Sequence, residues 1–280
     1  ADLRSSVVSK AKQVGYTPSS SVSSKATIDV VVNNASGTSL TMTAGTKFTT
    51  TVNTESYSFV NKEDVTITPI DGVYKFSDLD IFEGSYLNYK YTANTSDLEQ
   101  RFIIPNDSVD TSTLRVKVQN SSSDSTTNTY TLATGLTGLT PTSQVYFLQE
   151  VENGRYEVYF GDGVLGKAIA DGNIVIFDYI NCNQTAPNGA STFTLSGTIG
   201  GFSDATVTTI SNASGGSVPE SISSIKYNAP RDYASQDRAV TAEDYKVLVK
   251  SLYANAQAVQ VYGGEDAEVP AYGKVFISIR

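Results

Sequence analysis

The stretch "RYEVYFGDGVLGKAIADGNIVIFDY" (155–179) determines how the middle of the chain can fold. Its first part, "YEVYF", is rich in aromatic and β-branched residues and predicts a strand. Its last part, "IVIFDY", predicts a second strand. Between them, Gly161, Gly163 and Gly166 have the GxGxxG spacing that also occurs in dinucleotide-binding folds. The glycines therefore have two interpretations, a phosphate-binding loop or a β connection.

The surrounding residues favour the β connection. A dinucleotide site needs a helix after the glycines, because the free N–H groups of its first turn bind the pyrophosphate. Only "KAIA" follows Gly166 before the turn signal Asp171-Gly172. Asp162 would also place a carboxylate beside the phosphate. We therefore predict that Gly161, Asp162, Gly163 and Gly166 form a structural hairpin, and that no cofactor binds there.

Composition excludes several classes of function. The chain has 280 residues, a net charge of −9 and no long basic cluster, which disfavours nucleic-acid binding. It contains no histidine, so catalytic triads with histidine and histidine-ligated zinc are excluded. Cys182 is the single cysteine and follows an apolar strand, where we expect it to pack rather than react. No stretch resembles a signal peptide or a membrane span, and we predict no metal site.

The N-terminal residues predict an amphipathic helix. Leu3, Val7, Ala11 and Val14 fall on one face of residues 2–14, and Gly15 supplies a stop. Little else in the neighbouring sequence is available to cover this apolar stripe. We therefore expect it to contribute to a subunit interface, the alternative being that it folds onto its own domain. The serine-rich stretch 19–24 predicts a short linker.

Residues 26–218 predict two β regions. Alternating apolar and polar residues with Asn, Gly and Pro punctuation indicate a first region over 26–108 and a second over 109–218. Within the second, residues 144–151, 155–160 and 174–180 predict three strands of an antiparallel meander. Residues 191–210 carry many turn residues and predict an excursion from the main sheet.

The last part, 219–280, predicts an α+β unit. Pro219 favours a short first helix, and Thr241 predicts the N-cap of a clearer one, with Asp244 in its first turn. Tyr245, Leu248 and Leu252 form an apolar stripe that we expect to contribute to an interface. Arg238 is expected to pair with a nearby acid. Two strands follow, so the predicted fold class is mainly β, multi-domain and antiparallel, with an N-terminal helix (1–25) and an α+β C-terminal part.

Three segments together resemble one family. They are "EVYFGDGVLGKAIADGNIVIFDYI" (157–180), "PESISSIKYNAPRDYASQDRAVTAEDYKVLV" (219–249) and the entry "AKQVGYTPSSSVSSKATIDV" (11–30). Their order and motifs are similar to those of the baseplate J-like proteins of contractile phage tails. The block Arg-Ala-Val-Thr-x-Glu-Asp-Tyr at 238–245 is the most specific part of the resemblance.

The resemblance implies a structural virion protein and no enzyme. Such proteins surround the central hub as the inner ring of the tail baseplate and pass on the trigger for sheath contraction. The implied partners are other copies of the chain, as dimers within a larger ring, and neighbouring wedge proteins. No nucleic acid, membrane, small-molecule substrate or cofactor is implied. The implied location is the virion tail baseplate, assembled from late proteins in the bacterial cytoplasm. The chain lacks an initial Met and ends in "KVFISIR", from which we expect a piece of a longer protein.

Two other classes stay open on the residues alone. The 17 tyrosines in Ser/Thr-rich strands are also typical of a carbohydrate-binding adhesin or tail-fibre-like β module. A polysaccharide-degrading enzyme needs only two carboxylates, and the chain has many without a distinctive spacing. Glycan binding would favour the adhesin, glycan turnover the enzyme, and self-association the baseplate subunit.

Overall fold

The computed structural model describes residues 3–133, 135–136, 138–235, 239–253, 256 and 258–280. The chain forms two compact units. Unit 1 consists of Ala1–Ser19, Glu150–Glu152 and Pro219–Arg280, and unit 2 consists of Ser20–Gln149 and Asn153–Val218.

The architecture is mainly β, as the sequence predicts. The described helices are α1 (Arg4–Gln13), α2 (Ile222–Ser235) and α3 (Ala242–Leu252). The first eight strands are β1 (Lys25–Val32), β2 (Leu40–Met42), β3 (Lys47–Val52), β4 (Glu55–Val60), β5 (Val65–Ile67), β6 (Tyr74–Glu83), β7 (Ser85–Thr92) and β8 (Phe102–Ile103). The remaining strands are β9 (Val109–Gln119), β10 (Thr127–Leu132), β11 (Val145–Glu150), β12 (Tyr156–Phe160), β13 (Ile174–Asn181), β14 (Thr194–Ser196), β15 (Ala205–Ser214), β16 (Val259–Gly263) and β17 (Val275–Ile279).

The first sheet of unit 2 has the strand order β14-β3-β4-β6-β1-β15, and neighbouring strands are antiparallel. Strand β1 illustrates why this sheet forms, because alternate residues from Ala26 to Val32 are buried on one face. The end strands β14 and β15 also contact each other, so the sheet curls around its core. The segment predicted as an excursion supplies both of these end strands. Phe193, just before β14, packs edge-to-face on Phe59 with ring centroids 4.9 Å apart.

A β-bulge in β6 changes which residues point into this core. Asp78 has a φ of 50°, and its N–H donates to Oδ1 of Asp29 at 2.9 Å, where the register with β1 shifts. Before the bulge Tyr74 and Phe76 are buried. After it the inward positions change parity to Leu79, Ile81 and Glu83. The bulge therefore places a carboxylate, Glu83, inside the protein.

The second sheet has the order β7-β13-β9-β10-β11-β12-β8. Strands β9 and β10 are antiparallel and form a hairpin around residues 120–126. Strands β10 and β11 are parallel, so the sheet is not purely antiparallel. Strands β7 and β8 lie within the predicted first β region (26–108), but they pair here with β13 and β12.

The predicted meander of β11, β12 and β13 is wrong in its last step. Strands β11 and β12 are neighbours, but β13 lies between β7 and β9. The segment 161–173 therefore carries the chain across the sheet and is not a hairpin turn. The physical reason is that β13 is buried on nearly its whole length, which suits an interior position between two long partners.

The serine-rich stretch is buried and does not behave as a solvated linker. Ser20, Ser21, Ser23 and Ser24 are each at most 4% exposed. Val22 forms an antiparallel bridge with Ser217. The backbone N–H of Ser23 donates to Oδ2 of the buried Asp110 at 2.8 Å. The hydroxyl groups of Ser20, Ser21 and Ser24 form hydrogen bonds with Thr111, Gln184 and Asn188, which are distant in the sequence. These bonds allow the segment to be packed without a large apolar face.

Unit 1 contains the three helices and the two-stranded sheet of β16 and β17. Helix α1 begins two residues later than predicted, and Gly15 follows it with a φ of 83°. Helix α2 is longer than the short helix expected from Pro219. It begins at Ile222 and continues through Pro230 to Ser235. Helix α3 packs on β16 and on α2.

Candidate interaction surfaces

The loop after β12 is held in a compact turn by Asp162. Its Oδ1 accepts hydrogen bonds from the backbone N–H groups of Leu165 and Val164, both at 2.9 Å. These bonds keep the pKa of Asp162 below its ordinary value. The N–H of Gly163 donates to the carbonyl of Gly166 at 3.0 Å. Asp162 thus organises its own loop.

The backbone conformation of this loop explains why glycine occurs at its positions 161, 163 and 166. Gly163 and Gly166 have φ values of 86° and 92°, which residues with a side chain rarely adopt. A Cβ on Gly161 would clash with the carbonyl carbon and oxygen of Gly166. The next regular element after the loop is strand β13, where a dinucleotide site would require a helix.

The tip of this loop is an exposed apolar point. Val164 is 67% exposed and Leu165 is also exposed. The base of the loop is tied to the segment between β10 and β11, because the N–H of Gly166 donates to the carbonyl of Thr140 and that of Lys167 to the carbonyl of Ser143. A well-anchored loop that presents two aliphatic side chains is suited to contact another protein.

Helix α3 begins with a reciprocal cap. The N–H of Asp244 donates to Oγ1 of Thr241 at 3.2 Å, and the N–H of Thr241 donates to Oδ2 of Asp244 at 2.8 Å. Arg238, expected to pair with an acid nearby, lies outside the described residues.

The apolar stripe proposed for α3 is divided between two environments. Tyr245 and Leu248 are half-buried, whereas Leu252 is 86% exposed. The described residue of α3 that is most buried is Val247, which the stripe did not include. Contact with β16 and α2 rotates the buried face relative to the one that the spacing of large residues suggested.

Strand β17 is the most exposed apolar strand among the described residues. All five of its residues are exposed, including Val275, Phe276, Ile277 and Ile279. Within the described part of the chain it pairs with β16 alone, and Phe276 stacks on Tyr262 with centroids 5.4 Å apart. An apolar strand with an open edge is a typical site for protein association.

The stripe on α1 has a partner within unit 1, contrary to the expectation that little was available to cover it. Val7, Val8 and Ala11 are buried in one cluster with Ile225 and Ala229 of α2. Val14 is half-buried against the same cluster, while Leu3 is 71% exposed. Of the four stripe residues, Leu3 therefore offers the largest free surface. The local sequence does not reveal this arrangement, because it predicts only a short helix after Pro219, whereas α2 extends from Ile222 to Ser235.

Arg4 joins α1 to two distant parts of the chain. Its guanidinium forms a bidentate ion pair with the buried carboxylate of Glu150, with Nε–Oε1 and Nη2–Oε2 distances of 2.6 and 2.8 Å. Its Nη1 also donates to the backbone carbonyl of Glu220 at 2.5 Å. Nothing in the local sequence around Arg4 indicates these partners, which lie 146 and 216 residues away.

The Glu220 carboxylate ties the end of the α1 segment to α2. The hydroxyl of Tyr16 donates to both of its oxygens at 2.9 and 2.8 Å. Ser224 and Asn228 of α2 donate to its Oε1 at 2.7 and 2.8 Å. Burial and the Glu220 charge raise the pKa of Tyr16. Two of the segments that carry the family resemblance, 11–30 and 219–249, therefore contact each other through Tyr16 and Glu220.

Cys182 is buried. Burial raises the pKa of the Cys182 thiol, which packs with Val60 and Ile180. No set of three or more described Cys, Asp and Glu side chains is arranged to hold a metal ion. No described helix has the length and apolar character needed to span a membrane.

Comparison with known proteins gives consistent matches to two parts of this chain. Residues 89–188, which include β8 to β13 and the glycine loop, match the family "Bacteriophage baseplate wedge protein gp6, third domain". Residues 241–280, from the Thr241 cap to β17, match "Baseplate structural protein gp6, C-terminal domain I".

A curated relative agrees with these matches. It is the "Baseplate wedge protein gp6" of Enterobacteria phage T4, which is 27% identical over 154 residues. The alignment covers 47% of this chain and 23% of the T4 protein. Together with the two domain matches, this similarity confirms the family resemblance carried by the FGDG and Thr-x-Glu-Asp-Tyr motifs. Residues 89–188 and 241–280 are therefore similar to domains of the gp6 baseplate wedge proteins, and this similarity supports a structural role of the chain in a phage tail baseplate.

Proposed function

We propose that this chain self-associates as a dimer within the inner ring of the baseplate, around the hub, and docks neighbouring wedge proteins. In this proposal the assembled ring relays the trigger for sheath contraction, with assembly in the host cytoplasm from late proteins. The chain acts without catalysis, a cofactor or a metal.

The exposed apolar surface of the C-terminal region carries this proposal. Strand β17 exposes Val275, Ile277 and Ile279, and Leu252 at the end of α3 is 86% exposed. Helix α3 packs on β16, whereas all five residues of β17 are exposed, so further packing on β17 would stabilise this two-stranded sheet. A second copy offers the same apolar surface, and two-fold pairing of identical patches is the usual way in which homo-oligomers close.

Sedimentation velocity at micromolar concentration tests self-association. We expect the wild-type chain to show a concentration-dependent dimer. The double variant Leu252→Lys/Ile279→Lys should be monomeric. At a concentration at which the wild type is also monomeric, the melting temperature of the variant should equal that of the wild type, because Leu252 is 86% and Ile279 48% exposed. Leu98→Lys is the matched control, since Leu98 is 96% exposed but belongs to unit 2.

Leu3→Lys is a separate test of the N-terminal contribution. Leu3 is a more informative position than Val7, because Val7 is buried against α2 and a charge there would disrupt folding. A wild-type chain that remains monomeric, or a dimer that tolerates the Leu252/Ile279 double variant, would contradict the proposed surface.

A further inference from the structure

An open apolar groove runs between α1 and α2. Its volume is about 450 Å³. The lining residues are Val7, Lys10, Ala11 and Val14 from α1 and Ile225, Lys226, Ala229, Pro230 and Tyr233 from α2. The floor is formed by the buried cluster that joins the two helices. The rim is formed by exposed residues, including Tyr233, which is 61% exposed.

The groove has the dimensions and composition that suit the apolar face of a third helix. Side chains on packed helices interdigitate at interaxial distances of about 8–10 Å, which places anchors of an added helix between α1 and α2. An amphipathic helix presents such anchors at positions i, i+3, i+4 and i+7. Pro230 and Tyr233 extend the apolar wall beyond the part of α2 that Val7 and Ala11 cover.

The charges around the groove favour a bound helix that carries acidic side chains. Helix α1 carries Lys10 and Lys12 in addition to Arg4, which is paired with Glu150, and it contains no acidic residue, in a chain with a net charge of −9. Lys10 and Lys226 line the groove from opposite helices. An occupant with Asp or Glu beside its apolar anchors would place these acids near the two ammonium groups, whereas a basic helix would be repelled.

We propose that this groove binds an acidic amphipathic helix from a partner protein. The proposal rests on the proposed function in taking the partner to be another protein of the assembly. A second copy of this chain fits less well. The acids in the first turn of α3 are already engaged, Asp244 with the Thr241 cap and Glu243 with Lys246 at 2.7 Å.

Fluorescence anisotropy with a synthetic probe tests the proposal. The probe is a labelled peptide of about 15 residues, long enough to form a helix when packed, with Leu at i, i+3, i+4 and i+7 and Glu on the flanking positions. We expect saturable binding. The variant Lys10→Glu/Lys226→Glu should weaken it about tenfold or more, because both rim charges become repulsive.

Matched variants separate the groove from general effects. Lys12→Glu reverses a charge on the same helix outside the groove and should change binding little. Tyr233→Ala should weaken binding, whereas Tyr227→Ala, on the same helix but outside the groove, should not. A peptide with Lys in place of every Glu should not bind. Lys10→Glu alone provides a second variant if the double variant fails to fold.

Several outcomes would overturn the proposal. These are no saturable binding of the acidic peptide, equal binding of the lysine peptide, or binding that the Lys10/Lys226 and Tyr233 variants leave unchanged. Loss of self-association in the Lys10/Lys226 variant would instead assign the groove to a second copy. Sedimentation of the Leu252/Ile279 variant reports separately on the proposed function, so the two proposals can fail independently.

Discussion

Glu83 is an acidic residue placed in a fully buried position. Its side chain accepts hydrogen bonds from the backbone N–H and the Nδ2 group of Asn183, at 2.8 and 2.7 Å. Burial raises the pKa of this carboxyl group, even though both hydrogen bonds act in the opposite direction. Asn183 follows β13 of the second sheet, so the contact joins the two sheets of unit 2.

Glu83→Gln should gain stability relative to the wild type as the pH rises. Because the native pKa is raised, the folded protein binds a proton more tightly than the unfolded chain, so this group reduces stability as the pH rises above about 4.3. The slope is at most about 1.4 kcal/mol per pH unit and vanishes above the native pKa. Urea unfolding at a series of pH values measures it.

The comparison uses the difference in unfolding free energy between variant and wild type, which removes the effect of other titrating groups. Glu55→Gln, which removes an exposed carboxyl group of the same type, is the matched control. A Glu83→Gln difference that is constant or that shrinks with rising pH would contradict the prediction.

At the level of elements, the Thr241 cap is a local device that can be tested by itself. Thr241→Ala removes the acceptor for the N–H of Asp244, and we expect a loss of about 1 kcal/mol in the free energy of unfolding. Denaturant unfolding monitored by the helical circular dichroism signal measures this loss.

Thr241→Ser is the matched control, because it keeps the hydroxyl oxygen at the same position. It should retain most of the stability. An unchanged midpoint in Thr241→Ala, or an equal loss in both variants, would show that the side-chain bond contributes little.

For the whole molecule, salt should affect the two proposed binding events in opposite directions. Self-association depends on the net charge of the chain, whereas binding of the acidic peptide depends on the local charge at the α1–α2 groove. Two copies with a net charge of −9 repel each other, while the proposed contact between them is apolar. At an ionic strength near the physiological value, salt screens the repulsion between exposed charges that lie more than about 8–10 Å apart. Self-association should therefore strengthen as NaCl is raised, whereas binding of the acidic peptide to the α1–α2 groove should weaken.

Sedimentation equilibrium and peptide anisotropy across one NaCl series measure both effects. The two assays control for each other, because a general effect of salt on folding would move them in the same direction. Self-association that weakens with salt would mean that ion pairs, rather than the apolar residues of β17 and α3, hold the copies together.

Much of the local structure was predictable because it depends on neighbouring residues. Alternation identifies β1, the capping pattern identifies α3, and the residues that follow Gly166 argue against a dinucleotide loop. Helix α1 and its stop at Gly15 follow from spacing and from the freedom of glycine. These features need only short-range sterics and hydrogen bonds, which the sequence contains directly.

Pairing and burial depended on contacts between distant residues. The bulge at Asp78 reverses the inward parity of β6, and no pattern in "SDLD" reveals that Glu83 lies inside. The position of β13 between β7 and β9, the burial of the serines at 20–24 and the partners of Arg4 follow from the complete set of strand and helix neighbours. Local patterns define which face of an element is apolar, but the partner that covers this face is chosen by the packing of the whole core.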